Sequence, residues 1–192
     1  MEAQCSGSRA ATPPRGAVSV AIVLEMRELR QQLSLYVPRD ASQDIEAVRT
    51  IVDPVQHRLI PAHVTLCRED ELGDVSVWQA RLKAIPFGPL TLSFGEPQTF
   101  SGHGLLLNCI AGEDSFRQLR EYLLGSKEIR RQSPHLTLAH PRNPKAEGNS
   151  IETASRLPPR LQLTFPTLYW IEQERGEPWR ILDSWKLSQA LS

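Results

Sequence analysis

His63-Val64-Thr65-Leu66 and Pro134-His135-Leu136-Thr137-Leu138 are near copies of one another, one in each half of the chain. Both read His-x-Thr-Leu. In an extended strand, residues i and i+2 point to the same face, whereas on a helix they do not face each other. As strands, the two stretches present His63 with Thr65, and His135 with Thr137, on one face. Val64 and Leu66, and Leu136 and Leu138, then face a core. Pro61 and Pro134 stand just before them, as strand boundaries favour. The sequence holds only five histidines, so the same four-residue context around two of them is a signal rather than background.

Working outward, the chain reads as alternating strands and helices. Ala17–Leu24 is an apolar run expected to form a buried strand, and Glu25–Leu35 carries Met26, Leu29 and Leu33 at helical spacing. Asp40 and Gln43 form a candidate capping box ahead of a second helical stripe, Ile45, Val48 and Val52, which ends near Pro54. Asp74 is positioned to cap a helix with Val75, Trp78, Leu82 and Ile85, stopped by Pro86. Leu90–Phe94, extended toward Phe100, and Leu105–Ile110 read as strands around Gly102-His103-Gly104. Asp114 or Ser115 would cap a helix with Phe116, Leu119 and Leu123 that ends at Gly125. After the second motif comes a loop over 141–150 and a short helix near 151–156. Leu161–Ile171 and Trp179–Leu187 are then expected as a last hairpin, turning at Arg175-Gly176-Glu177-Pro178. This order predicts an α+β chain with a rough internal duplication.

Composition narrows the function. The chain has 192 residues, with 22 basic and 22 acidic side chains balancing to zero net charge. Long duplex nucleic acid is therefore not an expected partner, because its binding needs a field of one sign. A small anionic substrate or an RNA end needs only a local patch. Cys5, Cys67 and Cys109 are odd in number, widely spaced and without a CxxC. They suggest neither a disulfide framework nor a zinc site, and fit a reducing cytoplasm. No apolar run approaches the roughly 20 residues of a membrane span. Residues 1–16 lack a secretory apolar region and are expected to be a disordered tail, leaving 17–192 as one bilobal domain.

The paired motifs resemble those of the 2H phosphoesterases, in the 2′-5′ RNA ligase-like (LigT-like) branch. The resemblance covers roughly residues 17 to 188 and rests on the two motifs and their separation. It implies two pseudo-symmetric lobes whose antiparallel sheets face a central groove, one His strand from each, with helices outside. It also implies a substrate: a 2′,3′-cyclic phosphate on a nucleotide or RNA end, opened to a monoester, with 2′-5′ ligation as the reverse. A monomer without metal or cofactor is expected to suffice.

The chemistry of the residues is compatible with that. Histidine titrates near neutrality, so one imidazole can accept a proton from water while the other donates to the leaving oxygen. Thr65 and Thr137 can donate to the non-bridging phosphate oxygens. The residues alone treat the histidines alike; the resemblance implies His135 as base and His63 as acid. It also implies an arginine two residues after each motif leucine. Arg68 stands there after the first motif, but His140 stands there after the second, with Arg142 nearby as a substitute. Tyr169 and Trp170 lie on a late strand, where one of them could stack on a base. Arg130, Arg131 and Lys127 read as a solvated loop, and His57 and His103 receive no role. His135 and His140 are five apart and, on a strand, would face opposite ways. The alternatives are an exonuclease or 2′-5′ phosphodiesterase using the same site, a non-catalytic RNA- or nucleotide-binding module, or a structural protein with coincidental motifs.

Overall fold

Residues 29–188 are described in a computed structural model; the expected tail over 1–16 and the expected strand Ala17–Leu24 lie outside them. In chain order the strands are β1 (Leu29–Tyr36), β2 (His63–Cys67), β3 (Leu90–Phe100), β4 (Gly104–Ala111), β5 (His135–Ala139), β6 (Leu161–Phe165), β7 (Thr167–Glu174) and β8 (Arg180–Lys186). The helices are α1 (Arg39–Val52), α2 (Pro54–Leu59), α3 (Val75–Lys83), α4 (Glu113–Leu124) and α5 (Ile151–Ala154). Two four-stranded sheets result, ordered β2-β1-β7-β8 and β5-β4-β3-β6, and their recorded pairs are antiparallel. Among the described residues each His strand lies at the edge of its sheet. Among the described residues no helix is long and apolar enough to cross a membrane.

The duplication extends to the hydrogen-bond register. β1 sets Tyr36 opposite His63 and Ser34 opposite Thr65; β4 sets Asn108 opposite His135 and Leu106 opposite Thr137. Both ladders then slip at the same place. Leu33 pairs with Cys67, and Leu105 with Ala139, so each His strand carries one extra residue after its threonine. Such a bulge bends the strand and re-aims the side chains beyond it. Here it buries two successive residues, Leu66 with Cys67 and Leu138 with Ala139. The backbone just ahead of each histidine is also held alike: the Val37 N–H donates to the Ala62 carbonyl at 2.9 Å, and the Cys109 N–H to the Pro134 carbonyl at 3.0 Å.

The core lies on the other face of the His strands. Val64, Leu66, Leu136 and Leu138 are fully buried, with Leu33, Leu35, Ile45, Phe116 and Leu119 in the same cluster. Each such leucine contributes roughly 1.5–3 kcal/mol by leaving water. The helices cross over: α1 packs on β5 and α4 packs on β2. Each half therefore covers the His strand of the other.

Several expectations are corrected. The segment from Leu29 is the strand β1, not the end of a helix. It lies between β2 and β7, which take up its backbone groups on both edges, and this outweighs the helical spacing of Leu29 and Leu33. α1 starts before the expected box, at N-cap Pro38 without a side-chain cap, and Asp40 falls in its first turn. A separate helix, α2, follows, because Pro54 suits a first helical position and the Asp53 carboxylate accepts the Gln56 N–H. Gly112, at φ 97°, rather than Asp114 or Ser115, caps α4. The expected strand 161–171 divides at Pro166, which has no N–H for a ladder. β6 joins the second sheet and β7 the first, so only β7 and β8 form the last hairpin. The Asp74 cap on α3 and Gly125 at the end of α4 are as expected.

Candidate active site

His63, Thr65, His135 and Thr137 are half-buried on the faces opposite the core, and β2 and β5 adjoin one another. The two imidazoles are oriented by the same device. His63 Nδ1 lies 2.9 Å from the carbonyl of Pro61, and His135 Nδ1 lies 3.1 Å from that of Ser133. A carbonyl can only accept, so both Nδ1 atoms carry the hydrogen and both Nε2 atoms are left for other partners. Among the described residues no protein group bonds either Nε2 or the hydroxyls of Thr65 and Thr137.

The two rings differ in surroundings. Burial pushes the His63 pKa down to about 4, aided by the positive charge of Arg49 and by His135, against the opposing Pro61 hydrogen bond. His63 is therefore neutral near pH 7. Tyr36 stands edge-on to His63, ring centres 6.2 Å apart, and Tyr169 packs against Tyr36 at 5.0 Å. Burial, with Tyr169 beside it, pushes the Tyr36 hydroxyl up to about 12. The residue in the matching place opposite His135 is Asn108, whose side-chain amide donates to Gln98 at 2.8 Å. One wall is aromatic and the other is amide.

Of the two aromatic candidates, Tyr169 belongs to this wall and Trp170 does not. Strand alternation turns Trp170 to the core side, where its ring meets Trp78 at 5.1 Å. Arg68 follows β2 and pairs with Asp70 at 3.1 Å. Arg142 lies against His140, its Nε 3.3 Å from the ring Nδ1. β5 ends at Ala139, so His140 lies past the strand and strand alternation does not set its face. Burial first, then Arg142, Arg30 and His135, push the His140 pKa down to about 4, with Asp53 opposing.

Sequence reasoning missed a second pair of matched contacts. The backbone N–H of Arg68, five residues after His63, donates to Glu71 at 3.0 Å; that of His140, five after His135, donates to Asp53 at 2.8 Å. Both carboxylates tie the halves together. Glu71 pairs with Arg120 of α4, which also donates to the Leu66 carbonyl at 2.8 Å. Asp53, at the α1–α2 junction, also accepts from the Asn143 side chain at 2.9 Å. Arg49 of α1 holds the chain ahead of His63, donating to the Ile60 carbonyl at 2.8 Å. Arg49 and Arg120 are each 1% exposed; the available signal was an arginine set within an apolar helical stripe. Tyr36 gave no signal, because its pairing partner is fixed only by the sheet. Among the described residues no three His, Cys, Asp or Glu side chains are grouped to hold a metal.

A family model described as the 2′-5′ RNA ligase superfamily matches residues 37–177, which include both motifs. The chain belongs to the 2′-5′ RNA ligase superfamily. Solved structures agree on the fold this superfamily membership implies. E. coli LigT complexed with phosphate is 18% identical, with 85% of this chain and 99% of LigT aligned at a TM-score of 0.56. LigT complexed with 3′-AMP gives 18% identity, 83% and 98% coverage and a TM-score of 0.58. A structure described as a phosphoesterase gives 18%, 83%, 99% and 0.58. No curated protein matches the chain in sequence. The resemblance read from the two His-x-Thr-Leu stretches and the fold it implied both hold: a 2H phosphoesterase-like chain with two antiparallel sheets.

Proposed function

We propose that the protein is a phosphodiesterase that opens 2′,3′-cyclic phosphates on nucleotides or RNA ends by two-histidine acid–base catalysis, without a metal. One observation carries the reading: two histidines on adjoining strands share one tautomer, each fixed by a carbonyl two residues back, and each keeps Nε2 unengaged. The neutral His63 takes a proton from water as the water oxygen bonds to phosphorus. His135, entering the step as the imidazolium with its Nδ1–H held by the Ser133 carbonyl, gives its Nε2 proton to the ribose oxygen as that oxygen's bond to phosphorus breaks, and the product is a monoester. Thr65 and Thr137 donate to the non-bridging oxygens, where negative charge accumulates. The lowered pKa of the half-buried His63 supports it as the base, the reverse of the polarity the resemblance implies. With a ribose hydroxyl in place of water, the same groups run the step toward a 2′-5′ linkage.

The phosphate and 3′-AMP complexes of LigT support a small phosphodiester or RNA-end substrate. The proposed protein is a cytoplasmic monomer. The test is turnover of 2′,3′-cyclic AMP in EDTA. His63→Ala and His135→Ala should each cost on the order of 10²- to 10⁴-fold in kcat. Full activity in either variant, or its loss to EDTA in the unmodified protein, would sink the proposal.

A further inference from the structure

Gln132 bridges the two His strands, and the acid–base step makes no direct use of it. It stands three residues before His135, in the chain from α4 to β5. Its Nε2 donates to the backbone carbonyl of Thr65 on β2 at 2.8 Å. A carbonyl only accepts, so this contact fixes which end of the amide is nitrogen. The next residue, Ser133, supplies the carbonyl that holds His135 Nδ1 at 3.1 Å. Two successive residues therefore grip Thr65 with a side chain and the His135 ring with a carbonyl.

The same stretch is fastened to the first half elsewhere. Arg120 donates to the Arg130 carbonyl at 2.9 Å and to the Leu66 carbonyl at 2.8 Å, and the Arg130 side chain meets Asp70 at 2.9 Å. Of these contacts, that of Gln132 falls on a residue of the site itself.

The internal duplication shows that stability alone does not call for an amide here. Three residues before His63, in the matching place, stands Ile60, apolar and 2% exposed. Gln132 puts a polar group there instead. Among the described residues its Oε1 is shielded from solvent and meets no protein donor. A buried acceptor without a donor is destabilising, and such groups are rare in native proteins. An apolar side chain of the same length would remove that defect. It would not supply the bond to Thr65.

That bond matters because of what it joins. In the reaction proposed above, Thr65 donates to a non-bridging oxygen while His135 protonates the leaving oxygen on the same phosphorus. Thr65 and His135 belong to different sheets, so no strand pairing among the described residues sets their separation. A displacement of about 1 Å between such groups is worth on the order of 10²-fold in rate.

We propose that Gln132 is a positioning residue, whose amide sets the histidine of the second motif against the threonine of the first. It acts through the Thr65 backbone and the chain ahead of His135. The inference rests on the proposed reaction, in which both motifs serve one phosphorus.

Gln132→Met tests it, because methionine keeps the length and volume and removes both the donor and the unmatched acceptor. The kcat for 2′,3′-cyclic AMP should fall roughly ten- to a hundredfold, with KM within about twofold. The melting temperature should stay within about 2 °C or rise. A merely structural residue would give the reverse, a lower melting temperature with kcat kept. Gln132→Glu, the same shape without a donor when ionised, should lose at least as much kcat. Full kcat in both variants, or a loss of kcat matched by a loss of folded protein, overturns the inference. The bond itself is read by NMR without turnover. The Gln132 side-chain amide proton should exchange with water at least about tenfold more slowly than that of the exposed Gln98. Equal exchange also overturns the inference. Slow exchange in an unmodified protein that turns over no cyclic phosphate would instead remove the proposed reaction, and the positioning role with it, while the bond between the halves stands.

Discussion

The carboxylate of Asp53 accepts the backbone N–H of His140 at 2.8 Å, joining the end of α1 in one half to the end of the second His strand in the other. Asp53 is 2% exposed and also accepts from Gln56 and Asn143. Asp53→Ala leaves these donors without a partner in a site that water does not readily reach. It should lower unfolding free energy by about 2 kcal/mol or more, read by urea denaturation. Arg120→Met strands Glu71 on the mirrored side and should cost about 3–5 kcal/mol. Losses under about half a kcal/mol in both, the scatter of an ordinary surface substitution, would mean that these contacts do not hold the halves together.

Acid should destabilise the protein through His63 and His140. Both have folded pKa values near 4, below the ordinary 6.5 of the unfolded chain. Between those values the unfolded state binds more protons, so stability rises with pH across this window and is lost as pH falls from about 6.5 toward 4. Melting temperature measured over that range should drop, and less steeply in His63→Gln. A profile of equal slope in the variant would contradict the buried, neutral ring.

The same shift predicts the acid limb of catalysis. If neutral His63 is the base, kcat/KM for 2′,3′-cyclic AMP stays high through about pH 5 and falls only on approach to pH 4. An acid limb centred well above pH 5 would remove His63 from the base role.

Tyr36 should act through its ring rather than its hydroxyl. It stands edge-on to His63 and in contact with Tyr169. Tyr36→Phe should keep activity within about twofold, whereas Tyr36→Ala removes the support of the imidazole and should lower kcat about tenfold. Equal losses in both would show that the hydroxyl is the working part.

Gly112 has a backbone requirement. At φ 97° an added Cβ would sit 2.4 Å from the Thr91 carbonyl oxygen. Gly112→Ala should destabilise by more than about 1 kcal/mol, with α4 and its Arg120 the first elements to loosen in hydrogen exchange.

The His strands were legible because both conditions on them are local: a period of two, and a polar pair backed by leucines. β1 was not, since its Leu29 and Leu33 also fit a helix and only β2 and β7, far along the chain, decide the matter. That one misreading hid Arg30 and Tyr36 together. The split at Pro166 was visible as a missing N–H, but not that the strands on either side serve different sheets. Asp53, Glu71 and Arg120 each also bond a partner in the opposite half, which spacing along the chain cannot reveal. The bulge after each threonine leaves no mark in residue types and shows only in the register of the ladder.

The crossed helices have a mechanical consequence. With α1 seated on β5, α4 on β2, and the carboxylates of Asp53 and Glu71 in the first half bonded to His140 and Arg120 in the second, the halves have no free seam about which to swing. Contacts of this kind resist a change in the gap between the two imidazoles. Such a groove works as a gauge rather than a clamp: a phosphorus centre that spans the gap can react in it, and one that does not is refused without any motion of the protein.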